Sequence, residues 1–304
     1  MQRSSNIDFL ILAGPTATGK SGLAIELAQA WDGEIINADS MQVYKDLSIL
    51  TARPQSCEQI VPHHLYGVLE AHENGSAAWW VEQTCTIIKD CIARGRFPIV
   101  VGGTGFYLLA LTKGLSSIPD VNPSIREQVR KQSIEHINDF SEFIYNLDPL
   151  TRSIRPTDTQ RLSRALEVFL QTGISLITWQ QVEPTPAHSY RYEYVVIESE
   201  RVHLHDAINK RFQLMIENGA FEEVKKLVQL DLSPTCPVMK AIGVPEIIAY
   251  LEGNLTLQEA IEQAQKNTRR YAKRQTTWFK HQVMKKIVIY KPDMSTLIAE
   301  LHNS

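Results

Sequence analysis

Short apolar runs alternate with helical patterns along most of this 304-residue chain. Five of them, at residues 9–13, 34–38, 97–101, 192–197 and 287–290, read as buried strands. Strands that alternate with helices predict a parallel α/β sheet whose sites lie beyond the C-terminal ends of the strands. The alternation fails from about residue 119 to about residue 188, where helix signals occur without a convincing strand. In the stretch RPTDTQRLSRALEVFLQTG, Thr157 or Asp158 can cap a helix, Leu162, Leu166 and Phe169 line one face, and Gly173 stops it. Pro184 and Pro186 then lead back to the strand at Tyr192. The expected architecture is a core of about 1–118 and 190–304 that carries a helical insertion at 119–189. Neither an internal repeat nor a low-complexity tract interrupts it.

The first strand runs into Gly14-Pro15-Thr16-Ala17-Thr18-Gly19-Lys20-Ser21, followed by a helix carrying Leu23, Ile25 and Leu27. This is the spacing G-x-x-x-x-G-K-[ST], in which backbone N–H groups cradle phosphates, the lysine reaches a phosphate oxygen and the hydroxyl holds Mg²⁺. The helix N-terminus behind the loop adds its own attraction for anions. The loop is therefore read as a polyphosphate site. Past the second strand come Asp39 and Ser40, where a carboxylate either faces the phosphates or caps a turn. The third expected strand ends in Gly102-Gly103-Thr104-Gly105. An ordinary ATPase usually carries an aspartate there to organise Mg²⁺. The glycines instead admit a close backbone approach or supply positive φ.

An apolar content of 43% supports a sizeable core, and a net charge of −3 excludes a globally basic nucleic-acid binder. Any nucleic-acid role must come from local clusters. One is KNTRRYAKRQTTWFKHQVMKK, which carries Lys266, Arg269, Arg270, Lys273, Arg274, Lys280, Lys285 and Lys286 with no acidic residue in the stretch and Tyr271, Trp278 and Phe279 interleaved. On a helix Arg270, Lys273, Arg274 and Thr277 share one face, with Tyr271, Trp278 and Gln275 directed elsewhere. Without Glu or Asp at i±4 that face repels itself unless a polyanion such as RNA neutralises it. Arg152, Arg155, Arg161 and Arg164 give the insertion a second basic cluster. The cysteines Cys57, Cys85, Cys91 and Cys236 form no C-x-x-C pair and read as small buried thiols. Arg3 precedes an apolar run too short for a signal peptide, and no stretch approaches membrane-spanning length. A cytoplasmic protein is expected.

The ordered set GPTATGKS (14–21), ADSMQVY (38–44), TARP (51–54), PHHL (62–65), VGGTGFY (101–107), DTQRLSRALEV (158–168) and TRRYAKRQTTWF (268–279) resembles the tRNA dimethylallyltransferases, also called tRNA isopentenyltransferases. The first motif alone is common to many NTPases; the set is specific. The resemblance implies a P-loop NTPase-like parallel core and transfer of a dimethylallyl group from its diphosphate to N6 of the adenosine immediately 3′ of the anticodon. The loop then holds the donor's diphosphate rather than ATP, with Mg²⁺ as cofactor, the tRNA anticodon stem-loop as partner and the chain acting as a monomer. Carried over by motif, Gly14, Pro15, Thr16, Ala17, Thr18, Gly19, Lys20 and Ser21 bind the diphosphate, with Ser21 also on Mg²⁺. Thr16 and Lys20 join Asp39, the general base on the adenine amine, and Thr104, which lines the channel, as the catalytic set. Asp39, Ser40, Met41, Gln42, Thr104, Arg126, Gln160, Arg161, Leu162, Ser163, Arg164, Lys240, Ala241, Ile242, Gly243, Lys273, Arg274 and Gln275 match stretches that touch tRNA. Arg211 is either a further diphosphate ligand or an exposed helix arginine.

Three departures from the family pattern stand out. Leu50 replaces a glycine, Val244 and Pro245 replace a tyrosine and a basic residue, and GSAAWW (75–80) replaces Tyr-Ser-x-x-Asp-Phe. The second removes groups expected near the anticodon loop. Three rival readings remain: an adenylate isopentenyltransferase acting on free nucleotide, a P-loop kinase for a small molecule or nucleotide, and a non-catalytic RNA-binding module, which would need neither Lys20 nor Asp39.

Overall fold

The computed structural model describes residues 7–55, 60–136 and 139–303; Arg3 and Cys57 lie outside them. β1 (Phe9–Ala13), β2 (Gly33–Asn37), β3 (His63–His64), β4 (Phe97–Gly102), β5 (Tyr192–Ile197) and β6 (Ile287–Ile289) form one sheet in the order β3-β2-β4-β1-β5-β6. All neighbouring strands are parallel. Every residue of β1, β2 and β4 is buried, so β1 and β4 read as apolar runs instead of alternating ones, while β2 also buries Glu34 and Asn37. The edge strand β3 is absent from the five expected runs. Its two half-buried histidines, opposite Ile35 and Ile36, carry no periodicity to reveal it.

Contacts divide the chain into two units, one joining Met1–Thr112 with Ala187–Ser304 and the other formed by Lys113–Pro186. In the first unit, α1 (Lys20–Ala30) lays Leu23 and Leu27 on Leu10, Leu12, Ile35 and Ile99 of the sheet. α2 (Ala77–Ala93) starts at Ser76, whose side chain accepts from the Trp79 N–H, and α3 (Gly105–Lys113) follows β4. The second unit contains α4 (Pro123–Glu135), α5 (Phe140–Leu147), α6 (Thr159–Thr172) and α7 (Leu176–Trp179), with no strand among its described residues. Of the two possible caps for α6, Asp158 serves, and Gly173 ends the helix at φ +70°. Leu162, Leu166 and Val168 bury one face of α6 against Phe140, Ile144 and Leu176.

After β5 the first unit adds α8 (Arg201–Glu217), α9 (Ala220–Val228), α10 (Val244–Leu251), the long α11 (Leu257–Gln282) and, beyond β6, α12 (Met294–Asn303). α11 begins with a reciprocal cap in which Thr256 accepts from the Glu259 N–H and Glu259 accepts from Thr256. Phe212 and Met215 of α8, Val224 of α9, Val244 and Ile247 of α10 and Ile261 of α11 share a core with Val43, Tyr44, Leu47 and Leu50. This second core holds the segment after β2 beside the helices. No helix among the described residues is long and apolar enough to cross a membrane.

Candidate active site at the strand ends

Parallel register brings the chemistry-bearing turns together. Ala13 lies opposite both Gly102 and Val196, and Asn37 lies opposite Val101. The segments that leave β1, β2 and β4 therefore emerge side by side. Gly19, at φ +83°, turns the first of them into α1 with no side-chain cap, so the leading N–H groups of the helix stay available to an anion. Thr18 Oγ1 and Lys20 Nζ both donate to the Pro15 carbonyl, at 2.9 and 2.6 Å. Burial, and then the nearby Arg211, lower the Lys20 amine to about 7, against an opposing pull from Asp39. Arg211 is no exposed arginine. It reaches from α8 to donate to Thr16 Oγ1, and burial lowers its pKa while Asp39 raises it. Two enclosed cations thus face one carboxylate. Charge taken out of water is costly unless it is matched, so the excess calls for an anionic ligand.

Beside these groups lies a cavity of about 290 Å³. Thr16, Asp39, Ser40 and Arg211 make its polar wall, and Leu50, Ile208, Phe212 and Met215 an apolar one; Met41, Lys240, Ile242, Tyr271 and Arg274 also line it. The two readings of Asp39 turn out to be compatible. Its Oδ1 accepts from the Met41 N–H at 2.8 Å, a turn cap, while the side chain also lines the cavity. Asn37 holds its backbone on both sides, accepting from the Asp39 N–H at 2.9 Å and donating to the Asp39 carbonyl at 3.0 Å. Thr104 Oγ1 accepts from the Ser40 N–H at 2.9 Å, and the Thr104 N–H donates to the Ala38 carbonyl at 3.1 Å. Of the two explanations for the β4 glycines, close approach applies. None of Gly102, Gly103 and Gly105 has positive φ, and a Cβ on Gly102 would lie 2.2 Å from the Ala38 carbonyl oxygen.

Arg270, Lys273, Arg274 and Thr277 lie exposed on α11. Among the described residues, no carboxylate pairs with Arg270, Lys273 or Arg274. Arg274 stands over the Tyr271 ring at 5.5 Å, and Tyr271, expected to point away, lines the cavity. Other expectations need correction. Gln275 is buried, with both ends of its amide engaged inside the protein. Leu162 is buried as well, because it packs into a hydrophobic cluster, whereas Ala241 is mostly buried but also lines the cavity. Arg164 is paired with Glu167 at 3.2 Å, so the basic cluster of the helical unit is not acid-free. Arg161 and Gln160 on α6 and Arg126 on α4 are exposed, and Ser163 is half-buried. Gln42 spends its amide on the Thr51 and Ala52 carbonyls, and Gly243 is the N-cap of α10, its N–H donating to Glu246.

The three departures also find places. Leu50 is buried against Gly243 and lines the cavity. Val244 is fully buried and Pro245 occupies the first turn of α10, so position 244 belongs to the core and only 245 faces outward. Trp80 is fully buried, donates from Nε1 to the Asn37 carbonyl at 2.7 Å and stacks on Tyr107. Two residues without any sequence signal shape the site, Asn37 and Glu223. The Glu223 carboxylate, on α9, accepts from the Ser48, Ile49 and Leu50 N–H groups at 2.6–2.9 Å and so holds the loop that carries Leu50. Elsewhere Glu34, His64 and Cys91 come close enough to resemble metal ligands. Arg94, however, grips Glu34 at 2.6 and 2.9 Å and, with burial opposing, holds its carboxyl at about 2. Burial and Glu34 push the Cys91 thiol up to about 12. The cluster is a closed ion pair.

Residues 42–282 match the family model described as IPP transferase, and residues 7–66 match that described as isopentenyl transferase. A tRNA dimethylallyltransferase of Gluconobacter oxydans is 46% identical over 91% of this chain and 84% of its own length. One from Parvibaculum lavamentivorans is 42% identical over 90% and 88%. Among solved structures, a full-length tRNA isopentenylpyrophosphate transferase from Bacillus halodurans is similar with a TM-score of 0.69 and 33% identity, over 97% of this chain and 94% of that one. A eukaryotic dimethylallyltransferase acting on tRNA is similar with a TM-score of 0.77 and 30% identity, over 97% and 76%.

Proposed function

The chain belongs to the IPP transferase family, and on that footing we infer that it is a tRNA dimethylallyltransferase. It transfers a dimethylallyl group from dimethylallyl diphosphate to N6 of the adenosine immediately 3′ of the anticodon. The observation that carries this reading is the single cavity that joins Thr16 and Arg211 of the phosphate site to Asp39 and to the Tyr271–Arg274 surface of α11. The diphosphate lies on the Gly14–Ser21 loop. As the allylic C–O bond breaks, negative charge grows on the bridging oxygen, where Lys20 and Arg211 are already desolvated and in place. The N6 nitrogen bonds to the allylic carbon, diphosphate leaves, and Asp39 takes the amine proton. The apolar wall of Leu50, Ile208, Phe212 and Met215 suits the five-carbon chain.

The adenine must leave its stack to enter, which a single-stranded loop allows at low cost. The exposed cations of α11, and Arg126 and Arg161 of the helical unit, supply phosphate contacts. Ser21, the second residue of α1, is exposed beside the loop, and its hydroxyl together with diphosphate oxygens is the hard, all-oxygen set that Mg²⁺ takes. When bound, Mg²⁺ would offset charge on the departing diphosphate. The kinase reading lacks an aspartate at the end of β4, and the free-nucleotide reading leaves the basic face of α11 without a task. Incubating the protein with labelled dimethylallyl diphosphate and tRNA, AMP or ATP tests all three. Label is expected in tRNA alone, on N6; label in AMP or ATP, or phosphoryl transfer to a small hydroxyl compound, would overturn the reading.

A further inference from the structure

Gln275 lies on the stretch of α11 that carries Arg270, Lys273 and Arg274, yet it is only 5% exposed. Its Oε1 accepts from the Thr16 N–H at 3.0 Å, across 259 positions of sequence, and its Nε2 donates to the Gly103 carbonyl at 2.9 Å. Thr16 belongs to the phosphate loop. Gly103 precedes Thr104, whose hydroxyl holds the Ser40 N–H beside Asp39. A Cβ on Gly103 would lie 2.2 Å from Gln275 Nε2, so the bare glycine is what admits the amide. One side chain therefore ties the turn after β1 and the turn after β4 to the helix with the exposed cations.

We propose that Gln275 is a positioning residue of the prenyl transfer, setting the register between the donor's phosphate loop and the acceptor side of the site. The proposal rests on the function inferred above. These two backbone partners are one donor and one acceptor, which the oxygen and nitrogen of the amide serve together and which neither a carboxylate nor a thioether can. A carboxylate would keep the bond from Thr16 and set an oxygen against the Gly103 carbonyl. Asparagine, one methylene shorter, would fall short of both. Since the bonds run to backbone inside the protein and not to a surface ligand, the loss falls on the chemical step rather than on RNA affinity. A misplacement of about 1 Å can cost about 10²-fold in rate.

The test uses full-length Gln275→Met, Gln275→Glu and Gly103→Ala proteins, with single-turnover transfer from labelled dimethylallyl diphosphate to tRNA measured beside tRNA Kd. Gln275→Met, similar in length and unable to bond either partner, is expected to slow transfer about 10- to 100-fold with tRNA Kd within about twofold. Gln275→Glu should recover part of the rate through the Thr16 bond. Gly103→Ala should slow transfer comparably, since its Cβ displaces the amide, and should add little in the Gln275→Met background because both changes break one tie. An unchanged rate in Gln275→Met, or a rate loss that simply follows weakened tRNA binding, would overturn the proposal; the second result would make Gln275 an RNA contact. If Gln275→Met does not fold, Gln275→Glu and Gly103→Ala decide by the same criteria. Wild-type protein that transfers no label refutes the inferred function instead. The tie is then read from calorimetry with inorganic diphosphate, expected to bind about 5- to 10-fold more weakly to Gln275→Met, and equal affinities would overturn it.

Discussion

Lys20 and Arg211 are enclosed beside the phosphate loop, whereas Arg270, Lys273 and Arg274 stand on the solvent face of α11 with no carboxylate paired to them among the described residues. In their protonated forms all carry the same charge. The first pair has lost its hydration and sits against a single carboxylate, so its attraction for an anion is strong, local and little screened by salt. The exposed set keeps its water, and a polyanion bound there would release counterions, an effect spread over several residues and steeply dependent on salt. On the function inferred above, burial separates the cations assigned to the breaking bond from those assigned to the long substrate.

Asp39 is the sharpest place to test that division. Asparagine can still accept from the Met41 N–H but cannot take a proton, so Asp39→Asn should lower kcat by about 10²–10⁴-fold with little change in melting temperature. Near-normal turnover would reduce Asp39 to a turn cap. Lys20→Ala should lower kcat by about 10²–10³-fold, along with donor affinity. The lysine also sets a pH dependence. Its amine is lowered to about 7 in the free protein, so it is charged below pH 7 and neutral above. Donor kcat/KM should therefore fall by about tenfold per pH unit above 7, and Lys20→Arg should lack that limb because a guanidinium stays charged. A pH profile identical in the two proteins would contradict the enclosed, half-deprotonated lysine.

The exposed cations should respond to salt instead. Arg270→Ala and Lys273→Ala should each weaken tRNA binding modestly and reduce the log–log salt slope by about 0.7 to 0.9, with single-turnover transfer at saturating tRNA close to wild type. A salt-independent loss would move that residue into the enclosed class. Smallest of all at the active site should be the effect of Glu34→Gln, which disturbs a cation already paired with its carboxylate. It should lower Tm by about 2–6 °C and leave donor kinetics unchanged below the transition. With its carboxyl lowered from 4.5 to about 2, Glu34 contributes its stabilisation in full above about pH 4.5. That contribution disappears as pH falls toward 2. The acid limb of the stability profile should shrink in the variant.

Strands whose faces are both covered show themselves as apolar runs, and the phosphate loop shows itself by spacing, because local backbone chemistry alone requires those residues. The caps of α6 were equally legible, since Asp158 and Gly173 act within one turn of chain. The basic face of α11 followed from helical geometry. β3 did not, because its pairing, and not any pattern of its own, makes it a strand. The sequence by itself therefore determined the parallel α/β class, the helical second unit, the glycine-rich loop between the first strand and α1, and the family.

Only the tertiary structure decided that Arg211 reaches Thr16 across 195 positions, that Glu223 holds residues 48–50, and that Gln275 turns inward while Lys273 and Arg274 turn out. Helical periodicity fixes the angle between two side chains but not which face meets the protein. It could not tell whether Val244 looks toward RNA or into the core, and the packing of α8 to α11 placed it in the core. The hydrogen bonds that steady Thr16 and Leu50 are few, directional and long in sequence separation, whereas those on Asp39 come from two residues away. Their partners are ordinary residues that become specific only when the folded backbone brings a bare N–H or carbonyl within about 3 Å.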